Sequence, residues 1–132
     1  MKIAARAADG FVKNPTVSCV LVYGPDQGLV AERSRTLRAA VLGGDAPDPF
    51  RYAEPDAAAI ADDPSVLGDE AAALSLTGGR RVVRVAAATD GLAGAFAAVL
   101  DAREGSDPGE ESLVIAEGGE FRPRSAMRQL FE

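Results

Sequence analysis

Four apolar runs divide the chain, and apolar residues recur at helical spacing between them. Val17–Tyr23 is continuously apolar apart from Ser18, which suits a strand covered on both faces, as in a parallel sheet. Phe50–Glu54 reads as a second, short strand, Arg80–Ala87 as a third rich in β-branched Val82, Val83 and Val85, and Leu113–Ala116 as a fourth. Ahead of the first strand, Ala8, Phe11 and Val12 share one face of a helix that Asn14-Pro15 ends. From Asp26 to Leu42, Val30, Leu37 and Val41 keep helical spacing, and Gly43-Gly44 supplies the stop. Asp45–Pro49 is a turn-rich linker. Asp63-Pro64 marks a helix start whose Leu67, Ala71 and Leu74 face the core, with Gly78-Gly79 as its end. Leu92, Phe96, Val99 and Leu100 mark the next helix, Glu104–Glu111 an acidic loop, and a last helix starts near Ser125. Strands alternating with helices imply right-handed βαβ crossovers and a mainly parallel sheet in a three-layer αβα domain.

Composition narrows what such a domain does. The 132 residues fit one domain with a real core, and no stretch reaches the ~18–20 apolar residues that cross a membrane. The N-terminus lacks the apolar core and cleavage site of a signal peptide. The one cysteine, Cys19, lies within an apolar strand and reads as a small buried hydrophobe, so a cytoplasmic location is expected. A net charge of −6 is poorly suited to gripping a nucleic-acid backbone. The chain has no histidine, so it lacks the commonest general base, and one cysteine cannot build a thiolate metal cluster. Composition therefore argues against an enzyme.

The stretch Val17-Ser-Cys-Val-Leu-Val-Tyr-Gly24-Pro-Asp-Gln-Gly28-Leu29-Val30 has the strand–loop–helix layout of a phosphate-binding loop. A working Walker A loop reads G-x-x-x-x-G-K-[ST]; its Lys reaches the terminal phosphates and its hydroxyl holds Mg²⁺. Here Gly28 comes one residue early, and Leu29 and Val30 stand where Lys and Ser/Thr belong. Two readings stay open. The loop is a degenerate Walker A loop, or Gly24 simply turns the chain and Asp26 caps the helix. On either reading the site does not hydrolyse nucleotide.

Other polar residues each have a plain explanation. Glu117 follows the fourth strand where a Mg²⁺-assisting acid would stand, but it is alone beside Gly118-Gly119. Asp90 reads as a cap of the following helix, and Glu54 and Asp56 lack a nucleophile or second ligand. Arg122, Arg124 and Arg128 suit a solvated face or an acidic neighbour as well as a phosphate. In Ala73-Leu74-Ser75-Leu76-Thr77-Gly78-Gly79, the phase set by Leu74 turns Leu76 about 200° away from the core. An exposed leucine there is either unremarkable or an anchor for a partner's pocket.

Four segments together give the sequence a resemblance: Leu21–Val30, Asp48-Pro49-Phe50-Arg51, Ala73–Val83 and Arg122–Phe131. In this order and spacing they resemble the N-terminal domain of the delta subunit of the bacterial DNA polymerase III clamp loader, over essentially the whole chain. The resemblance implies a RecA-like, AAA+-type P-loop fold that has lost nucleotide binding and holds no cofactor or metal. It also implies a non-catalytic part in DNA replication. The domain docks on the sliding clamp (the beta subunit) and favours its opened interface, while ATP is bound by other loader subunits. Its further partners are then delta prime and gamma/tau, and DNA is reached only through the complex. The family's leucine–phenylalanine clamp contact falls on Leu76 and Thr77, so the plug is smaller here, and Leu74 or Ser75 is placed to share the load. Residues 1–132 would form a single N-terminal domain of a longer chain whose lid and collar domains are absent. The apolar, uncapped end at Arg128–Glu132 fits such a cut. The competing reading is a nucleotide-binding or phosphotransfer domain of P-loop type, with Glu117 or Asp90 as its acid; a plain structural domain is the third.

Overall fold

The computed structural model describes residues 19–43, 51–73, 80–103, 112–119, 121 and 124–131. The helix expected at 1–14, the linker at 45–49, the Gly78-Gly79 stop and the loop at 104–111 lie outside the described residues. Strand β1 is Cys19–Val22, β2 Tyr52–Ala53, β3 Val82–Val85 and β4 Leu113–Glu117. All pair parallel, in the order β1-β4-β3-β2. The helices are α1 (Gln27–Leu42), α2 (Ala57–Asp62), α3 (Ser65–Ala72), α4 (Ala93–Ala102) and α5 (Ala126–Phe131), with a 3₁₀ turn at Asp90–Leu92. The expected α/β architecture is therefore observed, with β2 and β3 shorter than the apolar runs that announced them.

Each strand alternates its side chains between two helical layers. On one face, Val82, Leu113 and Ile115 pack on Leu37 of α1, with Val20, Val22, Val41 and Tyr52 at the margin. Full burial of Leu37 is worth about 1.5–3 kcal/mol. On the other face, Val83, Val85, Val114 and Ala116 meet Ile60 of α2, Leu67 of α3, Phe96 of α4 and Met127 and Phe131 of α5. Among the described residues no helix is long and apolar enough to cross a membrane.

Helix α1 starts and stops where its local chemistry says it should. The Asp26 carboxylate accepts the Leu29 N–H at 3.1 Å, and Gly43 closes the far end in the left-handed region at φ 84°. Arg51 adds a cation there, donating to the carbonyls of Val41 and Leu42 at 2.9 and 3.4 Å. Helix α2 was not evident in the sequence; Asp56 caps it through the Ala58 N–H. Helix α3 starts one residue later than an Asp63 cap with Pro64 as first helical residue would place it: Pro64 is the N-cap, and Asp63 before it accepts from the Ser65 N–H and hydroxyl.

The far end of α3 differs from the sequence expectation. The stripe Leu67, Ala71, Leu74 implied a helix running to Gly78, but α3 ends at Ala72 and Ala73 is extended, with φ −64° and ψ 143°. The phase of α3 therefore does not carry past Ala73 to Leu76. Leu74, Ser75, Leu76 and Thr77 lie outside the described residues.

Candidate functional site

In an open parallel sheet, ligands bind beyond the carboxyl ends of the strands. The loop after β1 occupies that edge, and it is closed by its own groups. Gly24, at φ 152°, adopts a conformation that L side chains rarely take. Its N–H donates to Gly119 O at 3.1 Å, while Gly118 N–H donates to Val22 O at 3.0 Å, so the loops after β1 and β4 are stitched together. The Gln27 amide lies across this seam and donates to Gly24 O at 2.9 Å and Gly118 O at 3.3 Å. The Asp26 carboxylate, capping α1, puts a negative charge where a phosphate would sit. Gly28 is close to it, since an added Cβ would lie 3.3 Å from the Asp26 carboxylate. Leu29 is exposed and Val30 is buried in the core.

The loop thus spends donors that a phosphate would need and supplies no compensating cation. Titration with ATP·Mg²⁺ by calorimetry is expected to show no saturable binding at micromolar concentrations. Saturable heat that disappears on changing Gly24–Val30 would overturn this expectation. It would favour the nucleotide-binding reading instead.

The polar group at this edge that sequence reasoning missed is a network beneath α1. Arg84 sits in β3 opposite Ile115 of β4, and Glu117 lies two residues further along the same face of β4. On the other side, the register that pairs Ala53 with Val83 brings Glu54 alongside Arg84. Arg84 accordingly pairs with both carboxylates, its Nη2 donating to Glu117 Oε1 at 2.9 Å and its other nitrogens reaching Glu117 and Glu54. The buried Ser34 hydroxyl of α1 donates to Glu117 from above. Arg38, one turn on, donates to the Tyr52 hydroxyl at 3.1 Å and lies over its ring.

Burial pushes the Glu117 carboxyl up, but the hydrogen bonds from Arg84 and Ser34 and the charges of Arg84 and Arg38 outweigh it, holding the group below the ordinary value. The same hydrogen bond holds the Arg84 guanidinium more firmly protonated than usual, against its own desolvation. Glu117 is thus an ionised structural carboxylate with its oxygens occupied, a poor general acid or base. Two signals pointed to it: an arginine inside Val82-Val83-Arg84-Val85, and a serine on the buried stripe Val30-Ser34-Leu37.

The remaining candidates are dispersed. Asp90 caps a helix, but it is α5, through the Met127 N–H at 3.0 Å. Glu54 and Asp56 do not pair, since one meets Arg84 and the other caps α2. Arg128 lies 5.3 Å over the Tyr23 ring, which in turn meets Phe121 edge-on, whereas Arg124 is exposed. Arg122 lies outside the described residues. Among the described residues no three His, Cys, Asp or Glu side chains gather as a metal site requires.

At the opposite edge of the domain, arginines finish α3. Arg81 Nη1 donates to Glu70 O at 2.7 Å and to Ala73 O at 3.3 Å, while its Nη2 meets the Glu70 carboxylate at 3.3 Å. Arg103 Nη2 donates to Ala71 O at 3.1 Å and to Ser112 Oγ at 2.6 Å, and Ser112 itself donates to Ala71 O at 2.7 Å. Small residues on α3 and α4, among them Gly68, Ala72, Ala95 and Ala98, leave an open groove of about 440 Å³ beside this end.

These features define an α/β domain with a parallel sheet, helices on both faces and a self-satisfied loop after the first strand. The fold is shared with two solved proteins of bacteria. A DNA polymerase III gamma subunit-related protein of Thermotoga maritima matches with a TM-score of 0.59 at 17% identity, over 93% of this chain and 43% of its own. The DNA clamp loader delta protein of Bacillus subtilis matches with a TM-score of 0.64 at 15% identity, over 96% of this chain and 39% of its own. The chain thus spans less than half the length of either structure. No family model matches it, and no curated relative does.

Proposed function

We propose that this chain is a delta-type, non-catalytic domain of a clamp loader, which binds the sliding clamp and favours its opening during DNA replication. The fold likeness to a DNA polymerase III gamma subunit-related protein and to a DNA clamp loader delta protein carries this reading. The loop filled by Asp26 and Gln27 supports a subunit that leaves ATP to others. Residues 1–132 serve as the N-terminal domain of a longer chain. They work in the cytoplasm beside delta prime and gamma/tau, and reach DNA only through the assembled loader.

Leu76 and Thr77, with Leu74 and Ser75, form the contact in this proposal. Their place between the end of α3 and the start of β3 matches the family's clamp-binding tip. Opening then follows from differential binding: a subunit that binds the opened clamp interface better than the closed one shifts the clamp by that difference in affinity. One apolar anchor and its rim supply a few kcal/mol of such bias.

The experiment is co-migration of the chain with the sliding clamp of its own organism on a sizing column. A shared peak at micromolar concentration is expected. Separate peaks would sink the proposal and leave the plain structural reading.

A further inference from the structure

Helices α3 and α4 lie side by side on one face of the sheet, and the open groove of about 440 Å³ between them falls in the size range of sites that hold a ligand. Its floor is buried Ala95 and Val99, and its walls are Gly68 and Ala72 on α3 with Ala98 and Ala102 on α4. Alanine is common in this chain, so Gly68 is the sharper sign. It lies inside a helix, where glycine is among the least favourable residues. Its backbone is helical and needs no glycine, and a Cβ added there would meet nothing within 4 Å. The fold itself therefore gains nothing from this gap.

Because the walls are small, the bulk that fills the groove must come from an occupant. At the end of α3 the carbonyls of Glu70, Ala71 and Ala73 already accept from Arg81, Arg103 and Ser112, so they are not offered to one. An extended segment laid on alanine side chains would leave its own N–H and C=O groups unpaired, whereas a helix satisfies them internally. Paired helices also present the ridges and grooves into which a third helix packs. Charge narrows the occupant further. Asp69 and Asp101 are exposed, one on each helix, next in sequence to Gly68 and Ala102. Among the described residues neither carboxylate is paired with a cation. We propose that the groove between α3 and α4 docks an amphipathic helix of a partner protein, with large aliphatic side chains facing the groove and lysine or arginine flanking them. The proposal does not rest on the clamp contact, and separate peaks in the clamp experiment leave it standing.

The probe is a stapled helical peptide of about 12 residues, a little longer than α3 and α4. Leucines form one stripe at i, i+4 and i+7, and lysines flank it. Titrated into the isotope-labelled 132-residue chain, the peptide is expected to shift the amide resonances of Ser65, Gly68, Ala72, Ala98 and Ala102 and to saturate at micromolar concentration. Gly68→Leu fills the groove from within. It is expected to raise the urea midpoint, because leucine suits a helix better than glycine, and to weaken the peptide at least about tenfold. Ala98→Leu should weaken it likewise from the opposite wall, and it carries the comparison should Gly68→Leu fail to fold. Asp69→Asn with Asp101→Asn should weaken binding and flatten its dependence on salt.

Absence of saturable binding would overturn the proposal. So would shifts spread over other acidic surfaces, or full affinity in both groove variants. Equal binding of a peptide with the same composition but its leucines on opposite faces would overturn it too.

Discussion

Replacing Arg84 by alanine is expected to lower the stability of the domain by about 3–5 kcal/mol, read as the midpoint of urea unfolding. The loss comes from Glu117, which is only 7% exposed and would be left as a buried charge without its main partner. The other half of the network contributes little, because the Glu54 side chain is 47% exposed and water screens that pair. Changing both partners to apolar residues, as in Arg84→Met with Glu117→Leu, should cost much less than Arg84→Ala alone. The sign of the pH dependence follows from the Glu117 carboxyl lying below its ordinary value of 4.5 in the folded chain. A lowered folded value gives stability that is present above the unfolded value and lost as pH falls through the folded one. Removing Arg84 removes the main cause of that lowering and leaves burial, which pushes the other way. Protonation then relieves the variant, so the stability gap between parent and Arg84→Ala should narrow from about pH 7 to about pH 4. A gap that stays constant over that range would show that Glu117 does not depend on Arg84.

A second large effect is expected at the proposed clamp contact. Truncating an interface anchor commonly costs ~2 kcal/mol or more, so Leu76→Ala should weaken clamp binding at least about tenfold without lowering the melting temperature. Thr77→Phe should tighten it by restoring the aromatic of the family pattern. The basis is the place of these residues in the chain, because α3 ends too early to set the phase of Leu76. Surface binding measurements against the isolated clamp read both effects. If Leu76→Ala binds as well as the parent, or unfolds the domain, the contact is elsewhere.

The parts of the fold that were legible in the sequence depend on local chemistry. Helix α1 has an aspartate at its start and a left-handed glycine at its end, and both signals sit within a few residues of the element they bound. Strand β4 is the apolar run Leu113–Ala116 closed by Glu117, and it is buried along its whole length. Helix α2 is six residues long, too short for a repeating stripe, and so left no periodic trace. The end of α3 was misread because Leu74 keeps the spacing of Leu67 and Ala71, while the side chains that stop the helix come from positions 81, 103 and 112. The Ser34–Glu117–Arg84–Glu54 network left only two local traces, Arg84 in its valine run and Ser34 on a buried stripe, because its members meet only once β2, β3 and β4 lie in register. At the candidate nucleotide edge, the missing Lys and hydroxyl could be read directly. The Gln27 amide that bridges the two loops could not.

The pairing of β1 with β4 sets a timetable for the newborn chain. Cys19 lies against Val114, roughly 95 residues further along, and β1 has no other strand beside it in the described sheet. At about 5–20 residues per second on the ribosome, β1 waits about 5–20 s for its partner to be made. Through that interval a run of valine and leucine with high β-propensity is exposed as an unpaired strand. Holdase chaperones and the rate of translation between β1 and β4 should therefore bear on the yield of soluble chain through the first strand.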